Sequence, residues 1–215
     1  MTAPVRSTPE LLALHAVRLK GMADDNEVTA RFNLDSAVAR ECLLDFQAVG
    51  WITRVEVAGI AGWTLTEAGR AENERQLAEE LATTHFVASV RDAYEAFLPD
   101  NALLLRACTD WQLRPSGADP LAINDHKDRA WDQRVLVTLA ALAGKLPRLC
   151  VELAGRLARF GGYDGRFLAA LERAERGEHS WINRPKVDSC HTVWMELHED
   201  LIATLGIQRG AEDAQ

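Results

Sequence analysis

Apolar residues recur at three- and four-residue spacing over most of the chain. From Ser7 to Met22, Leu11, Leu12, Leu14, Val17 and Leu19 fall mostly on one helical face. Ser7 or Thr8 offers a cap, Pro9 suits a first turn, and Gly21 sits near the end. DDNEVTARFNL predicts a short helix carrying Val28, Ala30 and Phe32, capped by Asp24, Asp25 or Asn26. Asp35 then precedes SAVARECLLDFQAVG, where Val38, Cys42, Leu43, Phe46 and Val49 repeat and Gly50 stops the helix.

The period changes at Trp51. WITRVEV is rich in β-branched and aromatic residues and partly alternates; AGIAG is a turn, and WTLT reads as a returning strand. Strands this short need the preceding helices to pack on. Thr66 caps EAGRAENERQLAEELA, and Gly69 allows close packing in its first turn. Helix, short helix, helix, strand, turn, strand, helix is the layout of a winged helix-turn-helix over residues 1–70, with the hairpin as its wing.

The helical period continues alone after residue 70. Residues 71–98 carry Leu77 and Leu81, then Val87, Val90, Tyr94 and Phe97, a stripe suited to a partner helix. This is a connecting and dimerisation helix, divided at Thr83–Thr84. Pro99 and Asp100 end one helix and start DNALLLRACTDWQL, and RPSGADPLAIND is a loop. RAWDQRVLVTLAALAGKL is helical, with Gly144 and Pro147 marking a kink or a second start. The stripe runs on through Leu149, Leu153, Leu157 and Phe160 to Gly161–Gly162. GRFLAALERAERGE and SCHTVWMELHEDLIATLG follow, the latter capped by Asp188 or Ser189. The fold class is mainly α, with residues 99–215 forming a helical effector or dimerisation domain.

The string Leu43, Gly50, Trp51, Ile52, then Trp63, Thr64, Leu65, Thr66 and Gly69, resembles the wing closure of bacterial transcriptional regulators of the MarR and PadR kind. The resemblance spans residues 8–70 and does not extend into the C-terminal region. It implies a dimeric regulator on a two-fold double-stranded DNA operator. Its third helix would enter the major groove, where Ser36, Ala37, Ala39 and Arg40 would meet base edges. Arg40 suits bidentate contact with guanine, and Arg31 and Arg54 suit phosphates.

Charge complicates that expectation. The chain of 215 residues has a formal net charge of −8. Acidic residues outnumber basic ones within residues 1–70, and AGIAG has no Lys or Arg. The open alternative is a winged-helix scaffold that contacts protein or a small ligand without binding DNA. No apolar run approaches the ~18 residues of a membrane span, and the N-terminal segment lacks a secretory core, so a cytoplasmic protein without membrane contact is expected. The scattered Cys42, Cys108, Cys150 and Cys190 read as small buried apolar residues.

Trp111, Trp131, Trp181 and Trp194 are unusually many for a helical bundle. With His126 and His198 nearby in polar clusters, Trp111, Trp131 and Trp194 are candidates to line a small-effector site. A helix through NDHKDRAWD would place Asp125, Asp128 and Asp132 on one face. A metal site would need His126 to meet His191 or His198 and a carboxylate; no metal or cofactor is assigned. Motifs for nucleotide binding, a nucleophile elbow or a zinc protease are lacking, so no enzyme activity is expected.

Overall fold

A computed structural model describes residues 3–57, 59–117 and 119–207. It is mainly helical, with one small antiparallel sheet among the described residues. The chain forms two compact units. The first comprises residues up to Val90, Gly155–Arg159 and the segment from Glu199 onward; the second comprises Arg91–Ala154 and Phe160–His198.

The first unit begins with α1 (Pro9–Lys20), α2 (Asp25–Phe32) and α3 (Ser36–Ala48). Each start has a side-chain acceptor for an otherwise unpaired N–H. Thr8 Oγ1 accepts from Leu11, Asp24 forms a capping box with Glu27, and Asp35 accepts from Ala37 and Val38. Strands β1 (Ile52–Val57) and β2 (Ile60–Leu65) pair so that Ile52 faces Leu65 and Arg54 faces Trp63. The returning strand is longer than WTLT because Val57 pairs with Ile60, which shortens the expected AGIAG turn. Of the two residues left, Gly59 has φ +78°, as tight hairpins require, and Ala58 lies outside the described residues.

Leu14, Val17, Val28, Leu43, Phe46 and Ile52 meet in a core under the hairpin. Trp63 closes it, its indole N–H donating to Asp25 at 2.7 Å. A Cβ on Gly62 would lie 2.8 Å from Met22 and 3.1 Å from the Ala23 carbonyl, so glycine lets β2 approach that segment. Helix α4 (Glu67–Ala82) starts where Thr66 Oγ1 accepts the Gly69 N–H, and it ends beside Thr83–Thr84.

Helices α5 (Val87–Gln112), α6 (Arg129–Ala154), α7 (Tyr163–Glu175) and α8 (Cys190–Leu205) follow. Most of α5, all of α6 and α7, and α8 up to His198 belong to the second unit. Neither Pro99 nor Pro147 ends a helix; α5 and α6 run through them. A helical proline costs ~3 kcal/mol, but the buried stripes keep phase across both. In α5 the stripe is Tyr94, Phe97, Asn101, Leu104 and Cys108; in α6 it is Leu139, Leu142, Leu146, Cys150 and Leu153. Both prolines are exposed, on the side away from those stripes. Helix α6 stops at Ala154 instead of continuing to Phe160, because Leu157 pairs with Val5 in a short bridge. Ser189 Oγ accepts from the Thr192 N–H at the start of α8, while Asp188 pairs with Arg166.

All four cysteines are free and buried, and burial pushes the Cys108 and Cys190 thiols up to about 12. Among the described residues no helix is long and apolar enough to cross a membrane.

Candidate functional site

In the first unit, α3 is held by its inward residues Ala39, Cys42, Leu43 and Phe46. Ala39, expected to face outward, is 1% exposed, because it shares the buried stripe. Ser36, Ala37 and Arg40 are exposed on the first turns. Arg40 is the one basic residue of α3, and its guanidinium lies 3.6 Å from Asp25. Arg31 is buried, its guanidinium 4.3 Å from the Phe32 ring, and so is not part of the exposed face. Arg54 is exposed on β1, 5.3 Å from the Trp63 ring on the opposite strand. The same surfaces carry apolar side chains: Val38, Leu44 and Val49 on or just after α3, and Val57 and Ile60 beside the hairpin turn.

In the second unit, the aromatic and histidine candidates fall into separate places. Trp111 packs against His126 at a tilt with centroids 4.5 Å apart, and His179 joins them at 5.2 Å from Trp111, edge-on, and 5.7 Å from His126. Asn124 is buried and fixes the loop, donating to the Trp111 carbonyl and to Asp132. His126 adopts a left-handed φ of +55° and places Nδ1 3.1 Å from Asp132. The aspartates do not share a helix face, because α6 begins only at Arg129. Asp128 caps it by accepting from Ala130 and Trp131, and Asp125 stays in the loop beside Lys127.

Trp131 is set apart from Trp111 and His126. Its indole N–H donates to the Asp110 carbonyl at 2.6 Å, and Arg134 lies 4.8 Å from its ring. It lines a cavity of about 240 Å³ between α5 and α6, with Leu103, Arg106, Ala107, Arg134 and Val135. Trp194 and His198 lie one turn apart on α8, packed on Phe97 at 4.9 and 5.6 Å. The Trp194 N–H donates to Asn101, and the ring edges a cavity of about 560 Å³. His191 lines a smaller cavity with Cys108 and Asn183, where burial lowers its pKa.

Comparison of the chain with known protein families, with curated proteins and with solved structures finds no match. Among the described residues no group of three or more His, Cys, Asp or Glu side chains could hold a metal ion. His179 carries no signal of this role in the sequence. It lies 53 positions beyond His126, and no periodicity links them.

Proposed function

We propose that the protein is a DNA-binding transcriptional regulator, with a winged helix in its first unit and a small-effector site in its helical unit. The observation that carries this reading is the pairing of Ala23 with Trp63. Ala23 lies between α1 and α2, donates to the Trp63 carbonyl at 3.0 Å and accepts its N–H at 2.7 Å. A third extended segment thereby ties the hairpin to the three helices and leaves the first turns of α3 outside. Strand pairing between the α1–α2 linker and the returning strand suits a winged helix better than a hairpin attached by side chains alone. Ser36, Ala37 and Arg40 then face base edges, and Arg54 faces a phosphate. Arg31 belongs to the fold.

The scarcity of cations sets the form of binding. Arg40 and Arg54 give one copy about two phosphate or base contacts, too few for a stable complex at physiological salt. Two copies on a two-fold operator double that number. The expected slope of log K against log salt is then about −2, taking ~0.9 for each of the two phosphates met by the two copies of Arg54. Fluorescence anisotropy on duplex DNA from upstream of the protein's own gene, over a salt series, measures it. Arg40→Ala should weaken specific binding roughly tenfold or more, by loss of one bidentate contact. Equal affinity for random duplex, with no response to Arg40→Ala, would sink the reading.

Val38, Leu44 and Val49, 37%, 51% and 60% exposed, favour a second reading. The same face would hold another protein, and the winged helix would act as a scaffold without DNA. Leu44→Gln separates the two, because it weakens an apolar protein contact and adds no charge beside Arg40.

A further inference from the structure

We propose that the cavity between α5 and α6 beside Trp131 binds a compact organic anion, a carboxylate or phosphate carried on a small apolar body. This deepens the effector reading above and stands apart from DNA contact, since anion binding requires no operator.

The cavity's charge carries the argument. Arg106 from α5 and Arg134 from α6 both line it, against the single carboxylate of Asp110. Arg106 and Asp110 are one helical turn apart on α5, yet no ion pair joins them among the described residues. Arg134 likewise forms no ion pair among the described residues. Two arginines from different helices thus line one recess in a chain of net charge −8. Two guanidiniums against one carboxylate leave the recess with an excess of positive charge, which suits an anionic ligand.

The geometry also presets the donors. The Arg134 guanidinium lies 4.8 Å from the Trp131 ring centroid, and that ring is pinned by its N–H to the Asp110 carbonyl. Stacking holds the guanidinium while leaving the N–H groups at its edge free to fork onto a carboxylate or phosphate. Ala107 and Val135, each 4% exposed, form an apolar wall with Leu103. A volume of about 240 Å³ suits a body the size of a single ring.

Isothermal titration of the full chain with benzoate, phenyl phosphate, inorganic phosphate and benzylamine tests this. Benzoate or phenyl phosphate should bind, benzylamine should not, and inorganic phosphate should bind roughly tenfold more weakly for want of the apolar contact. Preference between benzoate and phenyl phosphate separates a carboxylate from a phosphate ligand. Arg106→Gln and Arg134→Gln should each weaken binding roughly tenfold or more. Both side chains are exposed, so both variants should keep the wild-type melting point, which is checked in parallel. Binding of benzylamine as tight as benzoate, absence of binding by either ring anion, or anion binding indifferent to both variants would overturn the assignment. Failure of DNA binding alone would leave it standing.

Discussion

Gly69→Ala should unfold the first unit or lower its melting point by about 10 °C or more. An alanine Cβ at this position would lie 1.8 Å from the Trp51 carbonyl oxygen and 2.6 Å from its carbon. Both atoms are backbone, so no side chain can rotate away. That oxygen also accepts the Thr66 N–H at 3.0 Å, so withdrawing it would break the hydrogen bond that turns β2 into α4. Overpacking costs ~1–3 kcal/mol where side chains yield, and more where backbone must move. Gly→Ala ordinarily gains up to ~1 kcal/mol inside a helix, and here the clash exceeds that gain. Gly144 supplies the control. It lies inside α6 with nothing within 4 Å of a built Cβ, so Gly144→Ala should be neutral or stabilise by up to ~1 kcal/mol. Thermal unfolding of both variants, followed by circular dichroism, decides it. At ~2–4 °C per kcal/mol for a chain of this size, a Gly69→Ala shift of only a degree or two would refute the argument.

The same stretch shows what is legible in a sequence. Thr66 as cap and Gly69 as close contact follow from local rules, because cap, turn and strand chemistry act over three or four residues. Asp35 before α3 and Ser189 before α8 were legible for the same reason. Local rules misread Pro99 as a helix end, and at Pro147 they offer a second start that α6 does not make, because burial of a continuous stripe outweighs the lost hydrogen bond. Placement of site residues was less legible still. Residue type alone groups Trp111, Trp131 and Trp194, yet they occupy different surroundings in the helical unit. His179 reaches Trp111 only through tertiary packing. The burial of Arg31 likewise depends on partners distant in sequence, since its charge acts on Asp200.

Asp200 is the centre of the second large effect, and its variants should destabilise the first unit in a pH-dependent way. The side chain is 0% exposed, and its Oδ1 accepts from Arg159 Nη1 and lies 3.1 Å from His15 Nε2. Arg159 is equally buried and reaches Glu80 at 3.2 Å, while Nδ1 of His15 lies 3.1 Å from Asn73. Close by, Arg18 pairs with Glu199 at 2.7 Å. These contacts tie the end of α8 and the Gly155–Arg159 segment to α1 and α4. Burial alone would raise the Asp200 pKa, but the charge of Arg159, then that of His15, pulls it from 3.8 down to about 2. A carboxylate with a depressed native pKa stabilises the fold fully above its unfolded value near 3.8. That contribution shrinks as pH falls toward 2 and is gone below it. Its size is about 2 kcal/mol, at 1.36 kcal/mol per pKa unit. Asp200→Ala leaves the Arg159 guanidinium without its nearest carboxylate and should cost about 3–5 kcal/mol at pH 7. Asp200→Asn keeps the shape, so its deficit should narrow as pH drops from 4 to 2, where the wild-type carboxyl becomes neutral too. Urea denaturation of wild type and Asp200→Asn at pH 7, 4, 3 and 2 measures that narrowing. A gap that stays constant across the series would mean that the Asp200 charge contributes nothing, and that the side chain acts only by filling space.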